Sequence, residues 1–135
     1  NSFWRAAIMN DIEKKMRSTG YDNIAFQGEL IGPGIQDNIY GLKDVEFHVF
    51  DIYDAHQGDY YKPDARRSMC AYLGIKHVPV LSVNKLLHPV ENILQWAEGA
   101  SQLNPKQERE GIVFKQIGGG MTFKAISNKY LLNEK

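Results

Sequence analysis

EGIVFKQIGGGMTFKAIS, residues 110–127, holds two short apolar runs on either side of three glycines. Two such runs joined by a glycine turn predict an antiparallel hairpin, with strands near 111–117 and 121–127. No Lys-Ser or Lys-Thr follows the glycines, so GGG at 118–120 reads as a turn rather than a phosphate-cradling loop. The hairpin also raises a question of chemistry. Glu110 stands at the mouth of one strand, and lysines stand on both.

Working back from the hairpin, SQLNPKQER (101–109) reads as a polar linker. HPVENILQWAEG (88–99) reads as a helix with Pro89 in its first turn, Val90, Ile93, Leu94 and Ala97 on one face, and Gly99 as its stop. HVPVLSV (77–83) has the residues of a short strand, interrupted by Pro79. PDARRSMCAYLG (63–74) starts with Pro63 and Asp64 and ends on Gly74, which predicts a helix. EFHVFDIYD (46–54) predicts a central strand, with Phe47, Val49, Asp51 and Tyr53 on one face and His48, Phe50 and Ile52 on the other. NIAFQGELI (23–31) alternates, so Glu29 and Gln27 leave the side opposite Ile24, Phe26 and Leu30. At the start, Trp4, Ile8, Ile12 and Met16 recur every fourth residue before Gly20 and predict one amphipathic helix with a core-facing stripe. Strands and helices mix without a regular βαβ rhythm. The expected class is α+β, with largely antiparallel sheets, flanking helices and no internal domain boundary.

Composition narrows the function. Sixteen Lys and Arg balance sixteen Asp and Glu in 135 residues, so any polyanion site has to come from a local cluster. Cys70 is the one cysteine, which excludes an internal disulfide and points to a reducing compartment, cytoplasm or nucleus, rather than secretion. His48, His56, His77 and His88 lack zinc-ligand spacing, and neither a membrane-length apolar run nor a GxSxG string occurs.

Four blocks in order, QGELIGPGIQDN (27–38), FHVFDIYD (47–54), EGIVFK (110–115) and FKAISNKYLL (123–132), carry a resemblance. They resemble the ATP-dependent RNA ligases of the covalent nucleotidyltransferase superfamily, whose other members include DNA ligases and mRNA capping enzymes. The likeness runs from NSFWRAA to YLL, nearly the whole chain. It implies a partial adenylyltransferase domain over 1–135, in a parent protein that joins RNA 3′-hydroxyl and 5′-phosphate ends through lysine–AMP and RNA–adenylate intermediates. ATP and Mg2+ or Mn2+ are the implied cofactors, and nicked or broken RNA the implied partner in RNA repair.

The resemblance also implies roles for residues. Glu29 matches the glutamate that contacts the nucleotide ribose, and Phe50 the aromatic on which adenine stacks. Glu110 matches the glutamate beside the reactive lysine and the metal. Lys124 matches the lysine that holds the α-phosphate, which accounts for acid and lysine meeting at the hairpin. Many relatives carry K-x-K at Lys124, but here the second position is Ile126, so that role is vacant or passes to Lys129. Lys115 is a further phosphate candidate, although strict alternation sets it on the face opposite Glu110. No lysine stands in the K-x-D/N/H-G string of the family's nucleophile, and that string is expected upstream of Asn1. The chain opens without methionine and is expected to be a fragment that does not adenylylate itself. The competing readings are a DNA ligase or capping-type nucleotidyltransferase, and a non-catalytic nucleotide-binding fragment.

Overall fold

The computed structural model describes residues 1–86 and 89–133; His88 and the last two residues of the tail, Glu134 and Lys135, lie outside them. The chain forms two compact units, Asn1–Val78 and Pro79–Lys135. The mixture of helices and antiparallel strands is the α+β architecture expected of a partial nucleotidyltransferase-type domain. Among the described residues no helix is long and apolar enough to cross a membrane.

The first unit contains helices α1 (Ser2–Met9) and α2 (Ile12–Ser18), strands β1 (Ile24–Ile31), β2 (Glu46–Asp54) and β3 (Asp59–Tyr60), and helix α3 (Pro63–Leu73). The single opening helix expected from the four-residue spacing is therefore two helices. Asn10 turns its side-chain amide back to the Ala6 carbonyl at 2.8 Å, and Asp11 takes a left-handed φ of 50°. Short polar side chains of this kind compete with the helical hydrogen bonds and end the first segment. Only Ile12 of the expected stripe packs against the core cluster, while Trp4 and Ile8 are exposed because the buried face of α1 is that of Ala6.

The sheet order is β1–β2–β3, all antiparallel, with β2 central as expected. Val49, Ile52, Cys70, Leu73 and Ile75 form the buried core, joined at its edge by Ile24, Phe26, Phe47, Tyr61, Met69 and Ile12. Burying a side chain of this size is worth about 1.5–3 kcal/mol, so this cluster anchors the unit. Val49 and Ile52 are three residues apart, which regular alternation forbids. Gln27 pairs with Asp51 but Gly28 pairs with Val49, so the register passes over Phe50. That β-bulge, two residues on one strand against one on the other, corrects the expectation that Phe50 shares a face with Ile52. Gly28 belongs to the same device: a Cβ there would lie 2.3 Å from the His48 carbonyl oxygen and 2.8 Å from the Phe47 ring.

HVPVLSV contributes only an isolated parallel bridge between His77 and Val49, not a strand. Helix α3 begins with Pro63 and ends on Gly74 at a φ of 64°, as its sequence predicts.

The second unit contains α4 (Val90–Ala97), the hairpin strands β4 (Gly111–Lys115) and β5 (Thr122–Ile126), and α5 (Asn128–Asn133). The GGG turn is closed by the Gln116 N–H donating to the Met121 carbonyl at 2.9 Å. Phe114 and Phe123 face each other in register, their rings stacked at 4.8 Å, on the side that holds buried Ala125. Val113, Lys124 and Ile126 line the other, exposed side. Residues 101–109 close on themselves, since Ser101 N–H donates to the Gln107 carbonyl at 2.8 Å and Ala100 bridges Glu108.

Candidate functional site

In the second unit the backbone fixes Glu110 from both sides. The Ser127 N–H donates to the Glu110 carbonyl at 2.8 Å, and the Arg109 N–H donates to the Gly99 carbonyl at 2.9 Å. Gly111 lets the two strands close at this point, because a Cβ there would lie 2.1 Å from the Ala125 carbonyl oxygen. The Arg109 guanidinium donates to the carbonyls of Trp96, Ala97 (3.1 Å) and Glu98 (2.6 Å), and so satisfies the C-terminal end of α4. Nothing in the 101–109 composition marked Arg109 for this; the signal was its position directly before EGIVFK.

From that anchored position the Glu110 carboxylate forms an ion pair with the Lys124 ammonium. Both side chains remain about half exposed, 52% and 43%, so an incoming phosphate or metal can reach them. Lys115 pairs with Thr122 and lies on the same face of the hairpin as Lys124, because residues 111, 113 and 115 share a side. Glu110 precedes β4, so its side chain is free of the strand's alternation and reaches that face. This corrects the expected separation of Glu110 from Lys115. Lys129 sits on α5 with its ammonium 3.5 Å from the Glu98 carboxylate. It is held toward α4, and no hydrogen bond or ion pair brings it to Lys124 or Glu110.

In the first unit Glu29 is exposed on β1 and lies directly across from His48 of β2. Phe50 is partly buried and belongs neither to the core cluster nor to its edge. Polar groups the sequence did not reveal surround this stretch. Buried Arg66 of α3 donates from Nε to His77 Nε2 at 3.0 Å and from Nη1 to Asp51 Oδ1 at 3.4 Å. Since the arginine can only donate, His77 Nε2 accepts, and the ring proton sits on Nδ1, 2.6 Å from the Val78 carbonyl. Burial pulls Arg66 below its usual pKa, opposed by the Asp51 carboxylate. Farther along β2, Glu46 accepts from Lys76 at 2.5 Å and bonds His48 Nε2 at 2.8 Å. Burial pushes the Glu46 carboxyl up, but the Lys76 and His48 hydrogen bonds outweigh it and hold the pKa below its ordinary value.

The donor set suits a hard divalent cation in one respect: Glu110 offers an accessible carboxylate of the kind that Mg2+ and Mn2+ take together with substrate phosphates. Among the described residues no group of three or more His, Cys, Asp or Glu side chains is gathered for a metal.

The sequence matches the RNA ligase family over residues 1–129. Solved structures similar to this chain include Naegleria gruberi RNA ligase with PPi, at 41% identity and a TM-score of 0.92, covering 98% of this chain and 40% of that one. A lysine-to-alanine variant of that ligase with ATP and Mn is 41% identical with a TM-score of 0.92, over 98% of this chain and 41% of that one. A glutamate-to-alanine variant with AMP and Mn is 40% identical with the same TM-score, over 98% and 40%. The chain thus spans about two fifths of the length of the solved ligases it matches. No curated protein matches it. With a family match over residues 1–129 and about 41% identity across almost all of its length, the chain belongs to the RNA ligase family.

Proposed function

We propose that the polypeptide carrying this chain is an ATP-dependent RNA ligase, and that residues 1–135 are part of its adenylyltransferase domain. The observation that carries this reading is the Glu110–Lys124 pair on the open face of the β4–β5 hairpin. An ammonium and a carboxylate fixed side by side suit a phosphate with its metal: the cation meets the phosphoryl oxygens and the acid meets the metal or an attacking amine. A divalent cation, when bound, offsets charge on the phosphates. The structures of the Naegleria gruberi ligase with ATP or AMP and Mn support the same nucleotide and ion for this chain.

In this proposal Lys124 holds the α-phosphate as it becomes five-coordinate, with Lys115 on the same face as a second cation. Glu110 is the acid of the metal and of the nucleophilic lysine. Glu29 accepts from the ribose hydroxyls, since a carboxylate acceptor suits a diol donor, and Phe50 stacks on adenine. The reaction passes AMP from a lysine to an RNA 5′-phosphate, from which a 3′-hydroxyl displaces it. RNA ends are the proposed partner, and the cytoplasm or nucleus the proposed compartment.

Nick sealing by the complete protein on matched RNA and DNA duplexes tests the reading. RNA sealing that depends on ATP is the expected result; preference for DNA moves the assignment to a DNA ligase. The 135-residue chain, which holds no K-x-D/N/H-G lysine, should form no acid-labile AMP adduct with labelled ATP and magnesium.

A further inference from the structure

Phe50 is the residue that the β1–β2 register passes over, and both of its chain neighbours are tied down by groups outside the β1–β2 ladder. On one side, Val49 N–H donates to the Lys76 carbonyl at 2.8 Å, and Val78 N–H donates to the Val49 carbonyl at 2.9 Å. On the other side, Asp51 Oδ1 accepts from Arg66 Nη1. The same guanidinium reaches His77, in the middle of the segment that grips Val49. One buried side chain thus joins the residue after Phe50 to the strip that holds the residue before it.

A buried guanidinium is a poor choice for stability alone, because apolar residues of similar size often replace buried ion pairs with no loss. Its use here is geometric. A bulge has one residue too many for the ladder, and two tethers with a common anchor leave that residue a single arrangement. We propose that Arg66 is a positioning residue for nucleotide recognition, which acts by fixing the Phe50 bulge so that its ring meets the base. This rests on the adenine-stacking reading of Phe50.

Saturation-transfer NMR on the 135-residue chain, with AMP and ribose 5-phosphate as probes, separates base recognition from everything else. Stacking is worth about 1–3 kcal/mol per base, so AMP should bind roughly tenfold or more tighter than ribose 5-phosphate. Phe50→Ala should abolish that preference. Arg66→Met should reduce it several-fold while leaving ribose 5-phosphate affinity and a cooperative thermal transition in place, and Arg66→Lys should restore part of it. Asp51→Ala, which removes the acceptor without adding volume, serves if Arg66→Met does not fold, and should lower the preference in the same way. Equal loss of both ligands in folded variants means that Arg66 is merely structural and overturns the proposal, as does an undiminished preference in folded Arg66→Met or Asp51→Ala. If the unaltered chain shows no preference, or Phe50→Ala keeps it, the adenine reading itself fails and the proposal with it.

Discussion

Glu110 and Lys124 meet across the open end of the β4–β5 hairpin, and they do so on the face that also carries Lys115 and Ile126. Glu110 immediately precedes β4, Lys124 lies on β5, and the two are 14 positions apart in sequence. Only the hairpin register makes them neighbours.

Because each partner is about half exposed, the pair adds little to stability, within roughly 1 kcal/mol. Its expected weight is in catalysis. If the proposed function holds, Glu110→Ala and Lys124→Ala in the complete protein should each lower adenylyl transfer on the order of a hundred-fold, as loss of a fixed electrostatic partner does. Labelled-ATP transfer and thermal melting, measured together, check this. Near-normal transfer with an unchanged melt removes the residue from the site.

Ile126 is 40% exposed, two residues beyond Lys124 on the same strand and face. Ile126→Lys should therefore be accommodated within about 0.5 kcal/mol, as surface substitutions are. It should also tighten pyrophosphate binding several-fold, with a steeper salt dependence. Isothermal titration at two ionic strengths gives both quantities. Lys129→Ala should change neither, since that ammonium is turned to Glu98.

Glu46 is held below its usual pKa of 4.5 although burial opposes this, because Lys76 and His48 bond its charged form. The folded-state pKa lies under the unfolded one. Its contribution is therefore complete above about pH 4.5 and disappears as pH falls through the folded value. Glu46→Gln should cost roughly 1 kcal/mol at pH 7, and the two proteins should converge toward pH 3. Urea melts across that range read the difference, and a constant offset at all pH values contradicts the linkage.

Cys70 lies at 1% exposure in the core, and burial pushes its thiol pKa up, only partly offset by Arg66. A thiol in that state is inert. An aromatic disulfide reagent at pH 8 should label it no faster than the chain unfolds, and addition of urea should accelerate labelling in step with loss of structure.

The hairpin, α3 and the central place of β2 were legible in the sequence because each rests on local chemistry: a glycine turn, a proline start with a glycine stop, and an apolar run on both faces. The bulge was not. Alternation counts in twos, and Phe50 breaks the count without any residue type that announces it; Gly28, where a Cβ has no room, marks it only once the strands are paired. The break of the first helix at Asn10 and Asp11 was hidden for the opposite reason, since the four-residue apolar spacing continues across it. Of the site, the resemblance supplied Glu29, Phe50, Glu110 and Lys124. Arg66 and Arg109 escaped because both act through atoms remote in sequence, on His77 and Asp51 in one case and on backbone carbonyls in the other.

Arg109 carries one further consequence. With its guanidinium spread over three carbonyls at the end of α4, and the backbone of residues 109 and 110 bonded to Gly99 and Ser127, the peptide before Glu110 is held from both sides. A carboxylate mounted on such a peptide keeps only its own rotamers to order when a ligand arrives, a cost of at most about 2 kcal/mol. The entropy of arranging the acid was settled when the chain folded. Encounter with a ligand should therefore be limited by diffusion and desolvation rather than by a search among loop conformations.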